Sequence, residues 1–149
     1  MISRISFHPV AEQGQSDQLN NPVFSILIPS WNNLDYLKCC IQSIKKNSRY
    51  THQLIVHVNE GNDGTLAWIK EQGIDYTYSE ENVDVCYGFN APAALAKTDY
   101  ILLSDDDYYF APDWDYYLLE EIQKLDHIYF CISGTMIEPN PILKHDCSV

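Results

Sequence analysis

Short runs of β-forming apolar residues alternate with segments whose apolar residues recur at a helical spacing, and this alternation most restricts what the chain can become. Residues 23–30 (VFSILIPS) are nearly continuously apolar, the pattern of a strand covered on both faces. In residues 34–48 (LDYLKCCIQSIKKNS), Leu37, Cys40, Ile41 and Ile44 fall at i, i+3, i+4 and i+7. Asp35 sits in the first turn of that segment and Lys45 and Lys46 in its last, where the helix dipole favours them. The order then repeats, with a strand at 53–59, a helix at 63–72 stopped by Gly73, and a strand at 74–79. An Ala-rich helix at 88–97 is expected to take Pro92 in its first turn, followed by a strand at 100–104, a helix at 112–125 and a strand at 128–134. Such a succession predicts an α/β fold: a single open, mostly parallel sheet with helices on both faces and right-handed crossovers. Residues 1–21, polar and unpatterned, read as a flexible arm, and residues 22–149 as the domain.

Composition narrows the function. The 149 residues are 46% apolar, enough for one packed core. Twenty-one acidic residues against nine basic ones give a net charge of −12, with no basic cluster beyond Lys45 and Lys46. Nucleic acid and an anionic membrane surface are therefore not expected partners. No segment approaches the roughly 20 apolar residues of a membrane span, and no signal peptide is apparent. The five cysteines are odd in number, lack a C-x-x-C pair and mostly lie in apolar segments, as expected of reduced structural thiols in a soluble cytoplasmic protein. No histidine pairs with a cysteine at zinc-finger spacing.

In open α/β sheets, ligands bind in the loops that follow the strands. Here those loops are 29–33 (PSWNN), 59–64 (NEGNDG), 79–88 (SEENVDVCYG) and 104–112 (SDDDYYFAP). None carries G-x-G-x-x-G or G-x-x-x-x-G-K-[ST], so a dinucleotide fold or P-loop enzyme loses its support. What they offer instead is Asn32, Asn59, Glu60, Asp63 and Asp84 around three successive carboxylates, Asp105, Asp106 and Asp107. Adjacent carboxylates raise one another's pKa and cost stability unless a cation binds. On an extended backbone Asp105 and Asp107 point the same way and can share one Mg²⁺ or Mn²⁺, with Asp106 facing elsewhere. The ion would let an acidic protein hold a diphosphate; the other reading of the triplet is a solvated acidic loop.

Three blocks, taken together, give a resemblance. Residues 24–44 (FSILIPSWNNLDYLKCCIQSI), 55–65 (IVHVNEGNDGT) and 81–114 (ENVDVCYGFNAPAALAKTDYILLSDDDYYFAPDW) resemble the nucleotide-diphospho-sugar transferases of the GT-A fold, in particular glycosyltransferase family 2. The third block is similar without a gap: Asn82 and Asn90 fall at the family's asparagines, the three aspartates at its D-x-D motif, and Pro112 five residues later. The resemblance implies an inverting, metal-dependent glycosyltransferase that uses Mn²⁺ or Mg²⁺ and a UDP- or GDP-sugar, with a saccharide, lipid or protein acceptor. By position, Pro29, Trp31 and Asn59 would line the nucleobase and ribose, helped by Asn32, Gly61, Asn82 and Asn90. Asp105 and Asp106 would lie near the ribose and diphosphate, and Asp107, with Asp105, would ligate the metal.

The chain also departs from the family. Asn59 replaces the usual aspartate, Val83 and Asp84 stand where glycines are common, and Phe89 where arginine or asparagine is usual, so a reshaped donor pocket is expected. Family members continue well beyond the D-x-D motif into the acceptor site and its catalytic base. The stretch after residues 133–141 (SGTMIEPNP) offers only Asp146, Glu138 is another loose carboxylate, and no base is identified. The expectation is a domain truncated after its donor half, with an exposed edge covered by a second copy or a partner chain. The competing reading is a non-catalytic nucleotide-sugar-binding module; a nucleotidyltransferase lacks the Gly-rich basic loop that would cradle a triphosphate.

Overall fold

Alternation along the second strand sets the layers of the molecule. Phe24, Ile26 and Ile28 project to one face, where they pack with Leu37, Cys40, Ile41, Ile44, Val56, Val58, Ile69 and Ile122 in the buried core. Ser25, Leu27 and Pro29 project to the other. The computed structural model describes residues 5–10 and 21–135. In chain order these form β1 (Ile5–His8), β2 (Phe24–Trp31), α1 (Leu34–Asn47), β3 (Gln53–Asn59), α2 (Thr65–Gln72), β4 (Asp75–Ser79), α3 (Asp84–Ala93), β5 (Tyr100–Leu103) and α4 (Trp114–Gln123). The strands make one five-stranded sheet in the order β1-β4-β3-β2-β5. β2, β3, β4 and β5 are parallel, and β1 is antiparallel to β4. This is the α/β fold the sequence predicts.

α1, α2 and α4 contribute to the core on the Ile26 face, whereas α3 lies against β2 and β3 on the other. That second contact is close. A Cβ on Gly88 would stand 2.9 Å from Pro29 Cβ and 3.6 Å from the His57 ring, so only glycine lets α3 approach. At the opposite end of the sheet, α4 is tied down by Asp115, which is fully buried. Its carboxylate accepts the Arg49 and Tyr50 N–H groups at 3.0 and 2.8 Å and meets His52 Nε2 at 3.0 Å. The His52 ring lies between Phe24 and Trp114, with centroid distances of 5.5 and 5.1 Å.

Four sequence readings change. Ile5–His8, placed in the polar arm, form the edge strand β1; backbone pairing with β4 and stacking of His8 on Tyr76 at 4.5 Å supply what a four-residue pattern cannot announce. α3 begins at Asp84 rather than 88, so Pro92 lies in its last turn, and residues 94–96 close through tighter bonds to the carbonyls three residues back. Residues 128–134, expected as a strand, are not in the sheet: Phe130 touches Tyr100, but Ile128 and Tyr129 are more than 80% exposed. Their β-forming composition finds no ladder partner among the described residues. Of the described cysteines only Cys40 is buried, and burial pushes its thiol up to about 12; Cys39, Cys86 and Cys131 are exposed. No helix among the described residues is long and apolar enough to cross a membrane.

Candidate functional site

The carboxyl ends of the parallel strands bring the sequence-predicted residues to one edge. β2 ends at Trp31, whose side chain is 56% exposed, and its partner across the ladder is Asn59, the last residue of β3 and only 4% exposed. Pro29 pairs with His57 two positions earlier. Asn32, in the left-handed region at φ 49°, then turns the chain across the next loop. Its Oδ1 accepts the Asn62 N–H at 2.8 Å and its Nδ2 donates to Glu60 Oε2 at 3.2 Å. Gly61, at φ +70°, completes this loop; a Cβ there would sit 2.8 Å from Val58 Cγ1. Asp63 fastens both helices to the loop, accepting the Leu34 N–H at 2.8 Å and the Thr65 N–H and hydroxyl at 3.0 and 2.7 Å. Burial raises its pKa, but these bonds outweigh burial and hold the carboxyl below its ordinary range. A shallow cavity of about 340 Å³ opens here, lined by Asn32, Asn33, Leu34, Asp35, Tyr36 and Asp63.

The aspartates lie beside it. Ser104 N–H still bonds Leu27 O at 3.1 Å, but the strand is over, and Asp106 and Asp107 form a turn. The alternation assumed for an extended backbone therefore does not set their directions. Asp106 is half-buried and accepts Asn33 Nδ2 at 2.9 Å. Burial raises its pKa, opposed by Ser30 and Asn33 and reinforced by Asp107 and Asp105. The Ser30 Oγ is buried, and no hydrogen bond of ordinary geometry joins it to a described residue. Asp105 and Asp107 are exposed, and neither carboxylate is hydrogen-bonded or ion-paired to a described residue.

No three histidine, cysteine, aspartate or glutamate side chains among the described residues gather into a ready-made metal cage. The arrangement fits a different mode. Mg²⁺ commonly takes one or two protein carboxylates and completes its shell with phosphate oxygens and water, and Asp105 and Asp107 are free to serve that way.

Among the described residues Asn82 and Asn90 make no hydrogen bond to the aspartates. Asn82 Oδ1 accepts the Asp84 N–H at 2.9 Å, a local turn that starts α3, and Asn90 is exposed on that helix without a hydrogen bond to a described residue. The sequence reading passed over Asn33, which pins Asp106, and His57, Thr77 and Ser79, which lie buried behind Asn59. Their signal was present in β3 and β4: Gln53, His57 and Asn59 alternate with apolar residues, as do Asp75, Thr77 and Ser79 with tyrosines, marking one polar face under α3. Glu138 and Asp146 fall outside the described residues.

A family model described as Glycosyl transferase family 2 matches residues 25–147. No curated protein matches the chain.

Proposed function

The chain belongs to glycosyl transferase family 2, and on that premise we propose that it binds the nucleoside diphosphate of a sugar donor at the carboxyl edge of its sheet, for transfer to an acceptor hydroxyl. The observation that supports this reading is that Asp105 and Asp107, exposed beside a third carboxylate bonded by Asn33, have no hydrogen-bond or ion-pair partner among the described residues. Two exposed carboxylates placed this way are available to a cation, and a cation is what a diphosphate needs from an acidic protein.

In this reading the nucleobase lies against Trp31, whose large exposed ring offers a stacking surface, with Pro29 and Asn59 below it. Asn32 and Gly61 shape the loop that borders the ribose, and Asp105 faces the ribose and diphosphate. Asp107, with Asp105, would hold a divalent ion, Mn²⁺ or Mg²⁺, whose Lewis acidity stabilises the departing diphosphate. The acceptor oxygen attacks the anomeric carbon from the opposite side, which inverts the configuration.

The test is release of nucleoside diphosphate from a panel of nucleotide sugars with simple acceptors and Mn²⁺. Acceptor-dependent release, lowered at least tenfold by Asp107→Asn, is the expected result. Donor binding without release would instead assign a binding module, and a wild-type protein that neither binds nor turns over any donor contradicts the proposal.

A further inference from the structure

The buried side chains behind Asn59 fix which end of its amide is available. Val83 N–H donates to Asn59 Oδ1 at 3.0 Å, and a backbone amide can only donate, so the oxygen is identified without ambiguity. Ser79 Oγ donates to the same oxygen at 3.3 Å. Ser79 is itself met by His57 Nε2 at 3.3 Å, and His57 Nδ1 lies 2.7 Å from Thr77 Oγ1. Every bond in the row is satisfied when Thr77 O–H donates to Nδ1, Nε2–H to Ser79, and Ser79 O–H to Asn59. His57, Thr77 and Ser79 are fully buried, and burial, opposed by Asn59, holds the imidazole below its usual pKa, favouring the neutral form this row requires. Both lone pairs of Asn59 Oδ1 are thus taken from within. Its Nδ2 has no partner among the described residues.

We propose that Asn59 is the specificity-determining residue of the base site, its Nδ2 standing opposite the Watson–Crick ring nitrogen and so selecting a base whose ring nitrogen accepts, cytosine or adenine, over uracil or guanine, which offer a donor there. The proposal rests on the donor-site reading above and departs from the uridine and guanosine donors that family resemblance implies. Uracil N3 and guanine N1 carry a hydrogen and meet a second donor; cytosine N3 and adenine N1 carry a lone pair and accept one. A site built around one hydrogen-bond polarity discriminates strongly, because the wrong base leaves buried polar groups unpaired. An aspartate at this position would reverse the polarity, since its second oxygen is an acceptor. The carboxylate would keep the bonds from Val83 and Ser79, so the exchange is compatible with the fold.

Calorimetric titration of CDP, UDP, ADP and GDP into the full chain with Mn²⁺ tests this. The expected result is CDP bound at least tenfold more tightly than UDP, or ADP than GDP, with Asn59→Asp bringing the ratio to unity or reversing it. Tighter or equal binding of UDP and GDP by the wild-type protein overturns the inference while leaving the donor site intact, whatever the variant does. A folded Asn59→Asp protein with an unchanged ratio overturns it as well. If none of the four binds, the donor-site reading fails and takes this inference with it.

Discussion

Asp106 shows how a single residue can be expensive by design. Burial and its two acidic neighbours raise its pKa, so the ionised form carries a cost at neutral pH that Asn33 only partly offsets. Because the folded-state pKa is raised, this group contributes stability below its unfolded pKa and loses it as pH rises. Asp106→Asn keeps an oxygen for Asn33 and removes the charge, and should raise the melting temperature of the metal-free protein by a few degrees. A lowered midpoint in a thermal scan would show that the carboxylate is not strained. At this scale the sequence was informative about placement: Trp31 and Asn59 end β2 and β3, and Asp105 and Asp107 follow β5. It was uninformative about partners such as Asn33, because a contact spanning 73 residues leaves no local pattern.

Among the elements, α4 depends on one carboxylate. Asp115→Ala would leave the Arg49 and Tyr50 N–H groups and the buried His52 ring without their partner, at a cost of about 3 kcal/mol or more. Chemical denaturation measures this directly, and a loss below about 1 kcal/mol would mean that water replaces the carboxylate. The buried histidines add a pH dependence. Burial lowers the pKa of His52 against the opposing pull of Asp115, and lowers that of His57. Both therefore bind a proton less readily when folded than in the unfolded chain, which protonates below about pH 6.5, so this stability is present above that pH and falls as pH drops through it. Melting temperatures at pH 7.5 and 5.5 should differ in that direction, and His57→Gln should reduce the difference; a flat profile would contradict the burial argument. Elements with strong periodicity, such as β2 and α1, could be read from sequence, since burial on one or both faces dictates their composition. Residues 128–134 could not, because strand composition becomes a strand only when an edge accepts it.

Among the described residues β5 is an edge strand of the sheet, and Ile101 and Leu103 are 51% and 59% exposed. An apolar edge strand favours association, so the protein should dimerise as concentration rises, and Leu103→Lys should weaken this. A monomer at every concentration by light scattering would contradict it. Net charge and fold class were both legible in the sequence, whereas the partner of that edge is not encoded in any pattern of the strand itself. In the proposed reading a chain of charge −12 holds a diphosphate, and a bound cation would offset the repulsion between them. Calorimetric titration of nucleoside diphosphates, with Mn²⁺ and again with EDTA, tests that claim most directly. Binding with Mn²⁺ that is lost in EDTA is the predicted result. Absence of binding in both, or binding of equal strength in both, would contradict the role given to Asp105 and Asp107.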